Sequence, residues 1–168
     1  DDCRDRLRVF LLPMEQKAMN EELVAASTRY AVCELLLSGV TCVLDMYYFE
    51  MAVAKVMDEM GIRGIAGETV MEEGACDFRD PEEALEYGKK LIAKYQDHPR
   101  ISGALTPHGT NTCRPEHLKA AYEMEGPVYL RFGRLAVPVI NDRDDYKFEI
   151  GKGDVLKEGT DLTIIATG

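Results

Sequence analysis

The chain has 168 residues, 46% of them hydrophobic, a formal charge of -10 and a sequence pI of about 4.8. That supplies apolar material for a core of ordinary size, while the acidic balance argues against nucleic acid or anionic membrane as partners, since both carry the same sign. Five cysteines, at positions 3, 33, 42, 76 and 113, form no CxxC pair, and no apolar stretch is long enough to span a bilayer, so the expectation is a reduced, cytoplasmic, globular protein.

Apolar spacing at Leu23, Val24, Ala31, Leu35 and Leu36 predicts an amphipathic helix from about Asn20 to Leu37, stopped by Ser38-Gly39. The run Val40–Leu44 follows as a strand. A helix from about Met51 to Met60 ends at Gly61, and Ile62–Ala66 forms the next short buried run. Pro81 opens a helix reaching about Tyr95, Ile101–Leu105 is a third strand, and Pro115 opens a further helix. The repeating unit is helix, apolar strand, polar tip. Strands that alternate with helices in this way favour a parallel sheet with flanking helices, the α/β class.

From Gly126 the texture changes. Up to residue 125 the chain carries 14 basic and 23 acidic side chains, against 6 and 7 afterwards, and the helix-strand repeat stops. "GPVYLRFGR" and "LAVPVI" read as short strands, "NDRDDYKFEIGKG" as a polar connection, and Leu162–Ala166 as a buried strand. Gly126-Pro127 is therefore the expected boundary between a region 1–125 and a region 126–168. The opening on Asp1 and the close on Gly168 after an apolar run read as cut ends of longer sequences.

In a parallel sheet the polar tips share one rim, where ligands commonly bind. The expected rim residues are Asp45, Tyr47 and Tyr48 after the first strand, Glu68 after the second, and His108, Asn111 and Thr112 after the third. His108 either faces a crevice there or hydrogen-bonds locally. Asp45 either orients a ligand or caps the next helix, and Glu68 either contacts a ligand hydroxyl or cation or makes a salt bridge. Cys113 lacks a base and an orienting partner, so an ordinary packed thiol is the simpler reading. His98, His108 and His117 satisfy neither HxH nor HExxH, so no complete metal site is expected. The glycines of "GIRGIAGE" and "EIGKGD" match no phosphate-binding loop. Arg134, with Arg131, alternates with apolar residues on a candidate strand, which suits either an anion contact or paired surface charge.

The run "ELLLSGVTCVLDMYYFEMAVAKVMDEMGIRGIAGE", followed by "HPRISGALTPHGTNTC", resembles the early half of a metal-dependent amidohydrolase barrel, in the branch of deaminases and chlorohydrolases related to adenosine-derivative deaminase. The resemblance covers about Leu7 to Met124. It implies that His108 is a substrate-contacting histidine after the fourth barrel strand, that Glu68 lies where related enzymes place a substrate contact, and that Asp45 and Tyr47 shape the pocket mouth. In that family an HxH pair, two later histidines and an aspartate hold zinc or iron, and none of these can be placed here. Residues from Gly126 to Gly168 resemble the C-terminal half of a split transketolase, in which Arg134 matches a sugar-phosphate contact. The residues that would hold thiamine diphosphate have no counterpart upstream.

The combined expectation is a partial (β/α) barrel joined to a transketolase-like α/β fragment. The isolated chain should carry no cofactor and be catalytically incomplete, with a small-molecule ligand at its rim. Its open sheet edge invites self-association or a complementary enzyme fragment. The alternative is a transketolase-related sugar-phosphate-binding subunit or a non-catalytic assembly module.

Overall fold

The computed structural model describes residues 6–130; Arg134, the Leu162–Ala166 run and most of the transketolase-like stretch lie outside the described residues. A π-helical turn, Leu7–Leu11, runs into α1, Leu12–Ala18, and α2 spans Glu21–Leu37. Then come β1 (Cys42–Tyr47), α3 (Glu50–Met60), β2 (Arg63–Val70), α4 (Pro81–Lys94), β3 (Ile101–Pro107) and α5 (Pro115–Tyr122). The three strands form one sheet in the order β1-β2-β3, all parallel. This is the α/β arrangement the alternation predicts.

Local chemistry sets the element ends. Asn20 and Asp80 cap α2 and α4 by accepting hydrogen bonds from Leu23 N and Glu83 N, each at 2.9 Å. Pro81 occupies the first turn of α4, where no N–H is needed. Gly61 ends α3 at a φ of 80°, the left-handed region that glycine enters without a Cβ clash.

The core lies between the sheet and its helices. Ala66, Leu91 and Ile101 are fully buried together with Val53, Ala54 and Ile62, and a second group gathers Leu105, Met71, Ala84 and Phe78. Helix α4 packs close to β3. A Cβ at Gly103 would come within 2.7 Å of the Leu91 carbonyl, so only glycine lets the two backbones approach.

The stretch after Gly126 does not leave this sheet at once. Leu105 N donates to Pro127 O at 3.1 Å and Tyr129 N to Leu105 O at 2.9 Å, which places Val128 alongside Leu105 in parallel. The side chain of Val128 packs against the second core group.

Candidate functional site

Because the strands are parallel, Tyr47, Val70 and Pro107 end at one rim. The loop after β3 is tied there by backbone bonds: His108 N donates to Val70 O at 3.1 Å, and Glu72 N to Thr112 O at 2.9 Å. Cys113 is buried with its thiol donating to Val70 O, so it holds this loop to β2 rather than standing as an exposed nucleophile. His108 Nδ1 lies 2.9 Å from Thr112 Oγ1, and that hydroxyl donates to Gly109 O at 3.3 Å. The hydroxyl bridges the His108 ring to the Gly109 carbonyl and so sets the orientation of the imidazole. The histidine stands at the rim as expected, with its ring orientation set by Thr112.

The other expected site residues need correction in their placement. Asp45 and Tyr47 belong to β1 and Glu68 to β2, within the strands rather than after them. Register pairs Asp45 with Ala66, Tyr47 with Glu68, and Glu68 with Leu105. Residues paired in this way share a sheet face, and Ala66 and Leu105 face the helices. Glu68 therefore points beneath α4, where a Cβ at Gly88 would lie 3.6 Å from its own Cβ. Asp45 and Tyr47 line a groove of about 400 Å³ between α2, β1 and α3, with Thr28, Val32 and Met57 among its walls. The structure thus brings Asp45 and Tyr47 together but does not bring them to His108. Arg134 lies outside the described residues.

Sequence reasoning missed a buried carboxylate group centred on Glu68. Glu50, at the start of α3, and Glu68 are both fully buried, and Asp77 lies against them. Glu50 Oε1 accepts from Tyr47 N at 3.1 Å, and Asp77 Oδ2 accepts from Phe49 N. By strict hydrogen-bond geometry Glu50 Oε2, both Glu68 oxygens and Asp77 Oδ1 have no partner among the described residues, while the Glu68 and Asp77 carboxyls lie close enough to interact with each other. Burial, followed by the charges of Asp45 on Glu50 and of Asp77 and Glu50 on Glu68, holds both glutamates well above the usual carboxylate range. Burial also raises Asp77 and Asp45. Like charges in a poorly hydrated site oppose one another's ionisation, so these carboxyls hold their protons to higher pH than exposed acids do. The same surroundings push the Cys76 thiol up to about 12, burial first and Asp77 second, which keeps it unreactive.

The metal question is answered by the donor set. Among the described residues no group of three or more histidine, cysteine or acidic side chains could hold a metal ion. The three histidines do not converge. His98 accepts from Ile101 N at 3.0 Å at the start of β3, His108 turns to Thr112, and His117 lies between Glu72 and Glu82. The described residues therefore do not fit a catalytic metal centre.

Residues 2–126 match the Amidohydrolase family. The chain belongs to that family. It is 35% identical over 136 residues to a 5-methylthioadenosine/S-adenosylhomocysteine deaminase of Desulfovibrio desulfuricans, covering 79% of this chain and 31% of that protein. It is 36% identical over 124 residues to a 5'-deoxyadenosine deaminase of Methanococcus vannielii, covering 70% and 29%. Among solved structures, an adenosine deaminase from Xanthomonas campestris with bound zinc superposes with a TM-score of 0.71 at 26% identity, over 77% of this chain and 31% of that one. The chain spans about a third of the length of these relatives. At this level the fold is part of an amidohydrolase barrel. No helix among the described residues is long and apolar enough to cross a membrane.

Proposed function

We propose that this chain is the substrate-contacting portion of a metal-dependent deaminase acting on adenosine derivatives, and that it is catalytically incomplete alone. The observation that carries the reading is His108, held at the strand rim with Nδ1 committed to Thr112. Its Nε2 has the chemistry to meet a purine or ribose polar group. The names of the relatives support the substrate class. Zinc or iron, which would supply an activated water, is assigned to ligands outside the described residues or on a complementary polypeptide. Glu68, Asp45 and Tyr47 act from behind the sheet in this reading, setting the shape and protonation of the strands that end at the rim.

The free edge of β1, with Leu44 and Cys42 exposed, is the surface at which a complementary fragment or a second copy would pair. The transketolase-like reading of residues 126–168, with Arg134 on a sugar phosphate and thiamine diphosphate as cofactor, rests on sequence resemblance alone, and the family match ends at residue 126. Calorimetric titration with adenosine tests the main reading. Adenosine should bind, and His108→Ala should weaken it by about tenfold, the equivalent of one good hydrogen bond. Equal binding by both proteins removes His108 from the site. Binding of thiamine diphosphate, or of a sugar phosphate in a manner lost on Arg134→Ala, would favour the alternative.

A further inference from the structure

Directly behind the His108 loop lies a second histidine with a different environment. His117, on α5, is 13% exposed in its side chain, with Nδ1 2.6 Å from Glu72 Oε1 and Nε2 3.2 Å from Glu82 Oε1. A neutral imidazole carries one N–H, so it would turn a lone pair toward one of these carboxylates. Only the imidazolium donates to both. Glu72 belongs to the segment after β2 and Glu82 to the first turn of α4, so the ring ties three elements together. Other charged groups here among the described residues include Arg114, whose Nε lies 3.3 Å from Glu72 Oε2, Glu116, 3.8 Å from the Arg114 guanidinium, and Arg8, which pairs with Glu73 at 3.2 Å and donates to Asn111 O. Glu72 is also joined to the loop through its backbone, since its N–H donates to Thr112 O and its carboxylate accepts from Arg114 N at 2.8 Å. Thr112 is the residue that orients His108.

We propose that His117 is a positioning residue for His108: as a cation between Glu72 and Glu82 it fixes the segment after β2, which fixes Thr112 and, through it, the His108 ring. The link runs from charge on α5 to the orientation of a rim histidine, with every step a contact given above. Burial alone would lower the His117 pKa, but the hydrogen bonds and charges of Glu72 and Glu82 outweigh it and raise it above the ordinary 6.5. A raised histidine contributes stability that is fully present below its unfolded pKa and is lost as pH rises through the folded one. The His108 loop should therefore be best ordered where His117 is protonated and loosen as pH rises through the raised His117 pKa.

The functional value of this clasp rests on the reading of His108 as a substrate contact, but its existence does not, and the test separates the two. Imidazole nitrogen shifts and amide hydrogen exchange are followed by NMR from pH 5 to 9 on the 168-residue chain. In the wild type His117 should titrate above 6.5, and the Glu72, Thr112 and Cys113 amides should lose protection as it does, with β2 and β3 amides unaffected. His117→Gln should speed exchange at those loop amides by about tenfold at pH 6 and blur the ring-nitrogen signals of His108. His117→Arg keeps a cation between the two carboxylates and should restore protection across the whole range. Titration of His117 at or below 6.5, or loop exchange indifferent to its charge, overturns the proposal. The wild-type titration decides the matter even if a variant does not fold. Failure of adenosine to bind any of these proteins would count against the role of His108 and leave the clasp standing on the exchange data.

Discussion

Two acidic clusters draw members from the segment between β2 and α4, and they solve the same electrostatic problem in opposite ways. Glu50 and Glu68 are fully buried and Asp77 partly so, with no cation among the groups that shift them. Glu72 and Glu82 lie at the surface around His117, with Arg114 beside them, and the Glu72 carboxyl is held low by hydrogen bonds to Arg114 and His117 that outweigh what burial it has. Where water is excluded and no base is at hand, the carboxyl groups keep their protons. Where a guanidinium and an imidazole are in reach, the carboxylates ionise and bring a proton onto the histidine. The two regions should respond oppositely to loss of a charge, one tolerating neutral substitutes and the other depending on its cation.

The largest effect tests the apolar frame around the buried cluster. Leu105 is fully buried, is in register with Glu68 and packs under α4. Leu105→Ala should cost about 2–5 kcal/mol in urea unfolding; a loss below about 1 kcal/mol would mean that the layer over Glu68 is loosely packed and its acids hydrated.

Next comes the pH dependence of the buried cluster itself. A carboxyl raised in the folded state stays protonated while its unfolded counterpart ionises, so its relative stability is full below the unfolded pKa and falls as pH rises toward the folded value. The slope is about 1.4 kcal/mol per pH unit for each such group. Unfolding at pH 5, 6, 7 and 8 should show the decline, and Glu50→Gln with Glu68→Gln should flatten it. A profile that the double substitution leaves unchanged contradicts buried, protonated acids.

A smaller effect of about 1 kcal/mol is expected for Asp80→Ala, which removes the cap of the helix that covers Glu68 and presents Glu82. Thermal or urea unfolding reads it, and Asp80→Asn should recover most of the loss. The smallest belongs to the surface cluster: Arg114 is 67% exposed in its side chain, so Arg114→Ala should change stability by no more than about 1 kcal/mol. A larger cost would make Arg114, rather than His117, the cation that organises Glu72.

The order and direction of β1, β2 and β3 were readable because each is a short apolar run behind a helix, and a helix leaves no other economical return path. The strand ends were not. Asp45 and Glu68 read as polar tips because polarity ordinarily marks the end of a buried strand, whereas here Met46 and Tyr47 extend β1, and Thr69 and Val70 extend β2. An acid can sit inside such a strand when it keeps its proton, a property that depends on Glu50 and Asp77 arriving from elsewhere in the chain. His108 was placed correctly because it follows the last residue of β3. The role of His117 was not legible because its partners come from the segment after β2 and from α4, and no local spacing announces them. The helical segment Leu7–Ala18 was missed for a similar reason, since its exposed Val9 and Phe10 carry no clear periodicity and Glu15 is anchored by the hydroxyls of Tyr47 and Tyr48.

In the proposed reading this chain holds part of a deaminase site without its metal chemistry, and ammonia release is the decisive assay. The purified chain, supplied with zinc or iron, is assayed on adenosine and 5'-deoxyadenosine, alone and after mixing with a polypeptide carrying the remaining two thirds of a related barrel. Turnover is expected only in the mixture, with His108→Ala lowering it by about tenfold or more, a loss of at least ~1.4 kcal/mol of transition-state stabilisation. Metal-dependent turnover by the chain alone, at a rate the mixture does not exceed, would contradict the claim.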